Sequence, residues 1–255
     1  MSVVSTLASR ADHELARAIA SHTGTALMGL RKEAEGSIDS DTLRTEADRM
    51  ANEIIIESLQ ARIADGDGLL SEESPDDLGR LDRERVWIVD PLDGTREFGE
   101  PERTDWAVHV GLAVDNVATV GAVALPAMGT VVSTGDPPHL PESNSAPVRM
   151  AVSRTRAPEQ AELLHEKLGY EIVAMGSAGA KAMAVVRGEV DAYVHAGGQY
   201  EWDSCAPAAV AAASGLHVSR LDGSPLRYNQ ANPFLPDLVI CRPELAESIL
   251  VALDR

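Results

Sequence analysis

The stretch Val86–Phe98, VWIVDPLDGTREF, decides how this chain is read. Four apolar residues, Val86 to Val89, run directly into Asp90, and Asp93 follows three positions later. Such a run predicts a buried strand. Pro91 has no N–H to give to a ladder and holds φ near about −65°, so the strand is expected to stop at Asp90 and turn. Gly94 accepts backbone conformations that other residues resist. A turn of this kind aims the carboxylates of Asp90 and Asp93, and the Leu92 carbonyl between them, toward one point. All are hard oxygen donors, suited to Mg²⁺, Mn²⁺ or Ca²⁺ rather than zinc or copper. The competing reading is a solvated turn after a strand. An EF-hand is excluded, because its loop needs glycine at the sixth position and Gly94 is fifth from Asp90.

Outward from this stretch, apolar spacing predicts helices over 12–34 and 42–64, the second capped by Asp41. Asp65–Gly68 reads as a turn, and Leu69-Leu70 leads into Glu72-Glu73 as if at another strand end. Trp106–Val114 and Val117–Leu125 read as strands joined by an Asp115-Asn116 hairpin turn, with Thr130–Ser133 a further strand. The segment 135–147, GDPPHLPESNSAP, carries the composition of a linker. It divides the chain into an N-terminal α+β metal-binding subdomain, 1–146, and a C-terminal α/β subdomain, 147–255, that completes the site. Beyond it, strands at 148–152, 171–175, 190–194, 216–219 and 238–241 alternate with helices at 157–168, 178–187, 203–213 and 243–253. That alternation means an α/β half.

Composition narrows the function. Of 255 residues, 44% are apolar and 4% aromatic, so the core must be built mainly of Ala, Val, Leu and Ile. The net charge of −18, from 40 acidic and 22 basic residues, argues against nucleic acid and anionic membranes as partners. An anionic small-molecule substrate then requires cations that reverse the local field. Cys205 and Cys241 form no CxxC, which fits a reducing cytoplasm better than zinc or disulfides. The first residues, MSVVSTLASRADHEL, contain no apolar core followed by a cleavage site, and no run of 18 apolar residues exists.

Other acidic residues join the candidate set. Glu72 and Glu73 are surface charges unless brought to Asp90. Asp203, in EWDSCAP, stands where the Gly-rich His195–Gln199 loop meets a helix, and an N-cap is its plain reading. Asp48 lies beside the apolar face of the second helix. His109 alternates within a strand and reads as structural, while His195 is placed at the site mouth.

TEAD at 45–48, SEE at 71–73, WIVDPLDGT at 87–95 and WDSCAP at 202–207 occur in the order and spacing of the magnesium-dependent, lithium-sensitive inositol monophosphatase superfamily. The resemblance extends from Thr45 to about Asn229. It implies a layered α-β-α-β-α sandwich in two parts with the metal site between them. It also implies that Glu72, Asp90, the Leu92 carbonyl, Asp93 and Asp203 hold two or three Mg²⁺ ions. Thr95 is then the hydroxyl that orients the attacking water, Asp48 its partner, and Asp48 or Glu72 the general base. The backbone amides of Gly94 and Thr95 become phosphate donors. One departure is the absence of the lysine that many members carry before the second helix; Gly36–Arg44 offers only Arg44 in its place.

The second half resembles the branch acting on 3'-phosphoadenosine 5'-phosphate. Its marks are Gly179, Lys181, Asp191-Ala192-Tyr193, Trp202–Pro207 and Leu226-x-Tyr228. Val152–Arg156 takes the place of that branch's S-R-S-H loop, with Arg156 where the histidine stands. The resemblance implies substrate contacts from Asp93, Gly94, Thr95, Ser153, Arg154, Lys181, Asp203 and Tyr228. A phosphate away from the metals needs its own cation, for which Lys181, Arg154 and Arg156 are candidates. Tyr228 and Trp202 stack on a base or simply pack. The expected activity is Mg²⁺-dependent hydrolysis of the 3'-phosphate to give AMP, with the sulfated relative as second substrate, in cytoplasmic sulfate assimilation. The alternatives are an inositol monophosphatase or fructose 1,6-bisphosphatase-like sugar phosphatase, and a non-catalytic metal or nucleotide binder. The last has no use for Thr95 beside a proton acceptor. The expected partner is a small phosphate substrate, and a homodimer is compatible with the resemblance.

Overall fold

Three apolar cores hold five layers of secondary structure together, the middle core reaching both sheets. The computed structural model describes residues 8–34, 39–76, 78–142, 147–155 and 157–254. In chain order the elements begin with α1 (Arg10–Ala34), α2 (Ser40–Ala64), β1 (Gly68–Ser71), β2 (Arg85–Asp93) and α3 (Thr95–Phe98). The first half continues with β3 (Ala107–Val114), β4 (Val117–Leu125) and β5 (Thr130–Ser133). Then follow β6 (Arg149–Ser153), α4 (Glu159–Leu168), β7 (Glu171–Met175), α5 (Ala178–Val186) and β8 (Ala192–Tyr200). The chain closes with α6 (Glu201–Ala213), β9 (His217–Ser219), β10 (Phe234–Cys241) and α7 (Ala246–Leu253).

The first sheet has the order β1-β2-β3-β4-β5, parallel at β1–β2 and antiparallel elsewhere. The second has the order β7-β6-β8-β10-β9, with β6 parallel to both neighbours. The side-chain period of two in β2 explains the layering. Trp87 and Val89 enter the core under α1 and α2, while Val86 and Ile88 face the core that holds α5 and α6. On the far side, α4 and α7 cover Met150, Val152, Val194 and Val239 of the second sheet. The α-β-α-β-α sandwich implied by the resemblance is the fold observed. The inferred boundary at 135–147 runs partly through residues 143–146, outside the described ones, and one sheet lies on either side of it. Among the described residues, no helix is long and apolar enough to cross a membrane.

Several elements differ from the sequence reading. The β2 strand passes through Pro91 to Asp93 instead of stopping at Asp90. Its parallel neighbour β1 ends opposite Val89, and the register against β3 shifts between Asp90 and Asp93. Pro91 therefore occupies a bulge with β1 pairing already finished, where its missing N–H costs no ladder bond. Asp39, not Asp41, caps α2, accepting from the amides of Asp41 and Thr42. The Gly-rich stretch His195–Gln199 is strand, held against β10 by register rather than by its own propensity. The last predicted helix starts as a 3₁₀ turn, Pro243–Leu245, before α7. The hairpin holds: Asp115 and Asn116 have φ of 50° and 65°.

Helix α6 lies against the first sheet at unusually small separation. A Cβ at Gly121 of β4 would come within 2.4 Å of the Ala206 carbonyl oxygen. At Gly111 of β3 it would come within 2.9 Å of the Cys205 sulfur. Only glycine lets the helix backbone seat itself there. Gly121→Ala is expected to lower stability by about 1–3 kcal/mol through overpacking, read as a lower urea midpoint. An unchanged midpoint would mean that α6 is free to shift and that this contact does not fix it.

Candidate active site

The bulge in β2 presents Asp90 and Asp93 at the C-terminal end of that strand, and Gly94 turns the chain into α3. Its φ of 87° lies in the left-handed region, as the sequence reading required. Phe98 secures this one-turn helix, packing edge-on to Trp106 at 5.0 Å with the Arg31 guanidinium near both rings.

The four carboxylates of Glu72, Asp90, Asp93 and Asp203 meet here, but their environments differ. Asp93 is buried, which by itself raises its proton affinity. That is overruled by His109, Lys181 and Ser177, which hold its pKa down at about 2. Ser177 Oγ and the Gly179 amide donate to Asp93 Oδ2 at 2.5 and 2.6 Å, and His109 Nε2 lies 3.2 Å from the same oxygen. The other His109 nitrogen, Nδ1, donates to the Trp202 carbonyl at 3.1 Å.

Asp90 is 1% exposed. Burial first, then the charges of Glu72, Asp93 and Asp203, push its pKa well above the usual range. Its Oδ1 accepts from the Leu92 amide at 3.1 Å. No donor among the described residues reaches Oδ2, and the Glu72 carboxylate within reach of Asp90 is another acceptor. Glu72 opens to solvent, yet its pKa rises to about 7 through desolvation and then the charge of Asp203. Asp203 rises to about 7 through burial and then Asp93. It is the third residue of α6 rather than its N-cap, and its Oδ2 accepts from the Tyr200 amide at 2.6 Å.

Thr95 opens α3 with its hydroxyl 3.4 Å from Asp48 Oδ1 and 3.1 Å from the Leu92 carbonyl. A hydroxyl has one proton, so these acceptors compete for it. Burial, then the charge of Glu73, lifts Asp48 to about 6. One helical turn on, Asn52 accepts from Ser71 Oγ at 2.8 Å and donates to Ser74 Oγ at 3.1 Å. It thereby ties the Glu72 turn to the helix that carries Asp48.

This donor set fits divalent cations. Buried carboxylates that raise one another's proton affinity, with an Asp90 oxygen that no donor satisfies, lack positive charge. Oxygen donors of this kind suit Mg²⁺ or Mn²⁺. Ligand atoms of Asp90, Asp93 and His109 all lie within 4.8 Å of one another, but both His109 nitrogens face acceptors, so the imidazole supports Asp93 and the cation set stays one of oxygens.

The remaining predicted residues divide. Ser153 and Lys181 line a cleft of about 260 Å³ together with Asp93, Ser177, Gly197, Gly198 and Asp203. Lys181 is 5% exposed and directs two of its N–H bonds to the carbonyls of Gly176 and Ser177, at 2.9 and 2.7 Å. Arg154 is engaged by Glu97 and Glu100 at 2.7 and 2.8 Å. Arg44 donates to Ser40 Oγ and pairs with Asp41. Tyr228 is 1% exposed in the middle core, its hydroxyl 3.2 Å from Ser204, so its ring has no face to offer a base. Trp202 stacks instead on Tyr200, at 4.8 Å. Arg156, and Gly36 to Ile38 of the stretch without the lysine, lie outside the described residues.

Sequence reasoning missed Ser177, which has φ of 36° and caps α5 while donating to Asp93. It also missed Asn52. Serine three residues before a helical amide, and asparagine one turn after Asp48, were the available signals.

Comparison with known proteins places this geometry in context. The model of the inositol monophosphatase family matches residues 4–254. A protein of Mycobacterium bovis named 3'-phosphoadenosine 5'-phosphate phosphatase is 53% identical over 223 residues, 83% of this chain and 82% of the relative. The 3'(2'),5'-bisphosphate nucleotidase CysQ of Escherichia coli K12 is 30% identical over 202 residues, 75% of this chain and 81% of the relative. Among solved structures, CysQ of Bacteroides thetaiotaomicron superposes with a TM-score of 0.78 at 23% identity, covering 91% of this chain and 97% of that one.

The raised carboxyl groups set a pH dependence of known sign. Asp48, Glu72, Asp90 and Asp203 hold protons in the folded protein that the unfolded chain releases near its ordinary values, about 3.9 to 4.3. Without divalent cations the protein therefore loses stability as pH rises from about 4 through about 7. Asp93 acts oppositely: its contribution is present above about 4 and disappears as pH falls toward about 2. Thermal melting in EDTA is expected to show a falling midpoint from pH 5 to pH 8. Asp203→Asn should flatten it. A midpoint that climbs over this range would contradict the carboxylate cluster.

Proposed function

The chain belongs to the inositol monophosphatase family, and from that premise we propose that it removes the 3'-phosphate of 3'-phosphoadenosine 5'-phosphate, giving AMP and phosphate. It is a phosphoric monoester hydrolase. The observation that carries the substrate is the 53% identity, over most of both chains, to a relative of that name. The Thr95–Asp48 pair beside the acidic cluster supports catalysis over simple binding, since a binder needs no hydroxyl paired with a proton acceptor.

A phosphate monoester dianion repels nucleophiles and resists hydrolysis. Glu72, Asp90, the Leu92 carbonyl, Asp93 and Asp203 would hold two or three Mg²⁺ ions, which when bound supply charge neutralisation and Lewis acidity at the phosphate. Thr95 Oγ orients the attacking water and passes its proton to Asp48. A pKa of about 6 leaves Asp48 ionised at neutral pH while still matched to proton acceptance. Glu72 is the second proton acceptor. The amides of Gly94 and Thr95 donate to phosphate oxygens. Ser153 and Lys181, on the wall of the cleft that Asp93 and Asp203 share, face the nucleotide's 5'-phosphate side, Lys181 with the N–H that it does not give to the Gly176 and Ser177 carbonyls; Arg154, held by Glu97 and Glu100, lies off that wall. Tyr228 contributes through packing.

The sulfated relative of this nucleotide is a second substrate, and the role is in cytoplasmic sulfate assimilation. Residues 1–146 supply most of the metal-binding half and 147–255 complete it, with a homodimer as the assembled form. Lithium competes at the weaker cation position.

A phosphate-release panel with Mg²⁺ tests this reading. Release from 3'-phosphoadenosine 5'-phosphate is expected to exceed that from inositol 1-phosphate and fructose 1,6-bisphosphate, and lithium chloride to suppress it. An inert nucleotide beside brisk sugar-phosphate turnover would favour the sugar phosphatase. Asp93→Asn should abolish release, and Thr95→Ala should cut kcat by about 10²-fold or more, the range of a lost proton-transfer group.

A further inference from the structure

Glu72 and Asp203 come from opposite halves of the chain, Glu72 from the turn after β1 and Asp203 from α6, and both are carboxylates of the acidic site. Something must hold these like charges in place. The Glu72 turn leads through Asp76 to a 3₁₀ turn, Gly79–Asp82, that carries Arg80. Arg80 is 2% exposed, although arginine is seldom buried without partners. Its guanidinium donates to Asn229 Oδ1 at 2.8 Å and to the Gln230 carbonyl at 3.0 Å. Its Nε–H and one Nη2–H fork onto Asp76 at 2.7–3.1 Å. The Asn229 side chain returns a bond to the Arg80 carbonyl at 3.1 Å.

The same loop is gripped from the other side. The amides of Asn229 and Gln230 donate to the two oxygens of Glu201 at 2.6 and 2.8 Å. Glu201 is 1% exposed and opens α6, two residues before Asp203. A closed polar path therefore runs from the Glu72 turn through Arg80, Asn229 and Glu201 to the helix that presents Asp203. Arg80 forks onto Asp76 and Glu201 uses both of its oxygens, contacts that fix direction as well as distance.

We propose that the Arg80–Asn229–Glu201 clamp sets the approach of Asp203 to Glu72, and that Arg80 is a positioning residue of the cation site. The proposal rests on the metal-dependent reading above. It goes beyond a stabilising network, because it assigns the clamp a share in cation affinity.

The test measures Mn²⁺ binding by the electron paramagnetic resonance of the free ion, with the full chain held well below its melting midpoint. Arg80→Met is expected to bind Mn²⁺ about tenfold more weakly, the lower end of losses seen when an outer partner of a metal ligand is removed. Asn229→Gly should weaken it in the same direction by less. Asn229 has φ of 57°, which glycine accepts, so this variant keeps the backbone and both bonds to Glu201 while losing only the side-chain arm. It decides the question if Arg80→Met does not fold. A purely structural network would lower the melting midpoint and leave Mn²⁺ affinity untouched; that result in folded variants overturns the proposal. Wild-type protein that binds no Mn²⁺ would instead overturn the metal-dependent reading, and the clamp's role with it.

Discussion

Repulsion among Glu72, Asp90, Asp93 and Asp203 is the force that the surrounding structure must contain. Two of these residues come from the end of β2, one from the turn after β1 and one from α6. Each would be more comfortable in water. They stay together because the elements carrying them are seated by apolar packing elsewhere: α6 against the glycines of β3 and β4, and α3 by Phe98 under Arg31. Asp93 is the exception that steadies the group. Ser177, Gly179 and His109 converge on one of its oxygens, so it alone is held firmly ionised.

This arrangement resolves the charge paradox of the sequence. A chain of net charge −18 should repel a nucleoside bisphosphate. Concentrating carboxylates around an unsatisfied Asp90 oxygen converts surplus negative charge into affinity for cations, and the cations in turn attract phosphate. The fold-level likeness to CysQ and the higher identity to the mycobacterial phosphatase are consistent with that chemistry.

Much of this was legible in the chain because the informative residues are local. VWIVDPLDGT carries its own strand, proline and left-handed glycine, so the turn that brings Asp90 and Asp93 together could be read directly. What escaped depended on distant partners. That β2 continues through Pro91 follows from where β1 stops, which no residue near Pro91 reveals. The Gly-rich end of β8 is strand because β10 pairs with it. Tyr228 was a candidate for a base because Leu226-x-Tyr228 resembles the branch's pattern; Ser204 and the middle core, remote in sequence, enclose it. Lys181 read as a free cation at a helix start, but the carbonyls that claim it belong to the turn that Ser177 strains.

The order of the layers bears on how the molecule is made. The first sheet is complete by Ser133, yet the helices that cover its inner face, α5 and α6, span Ala178–Val186 and Glu201–Ala213. As the nascent chain emerges, Val86, Ile88, Ala107, Val123 and Leu125 are left bare until the second half follows. Synthesis at about 5–20 residues per second makes that interval a matter of seconds, long enough for an uncovered apolar sheet to invite chaperones or wrong partners.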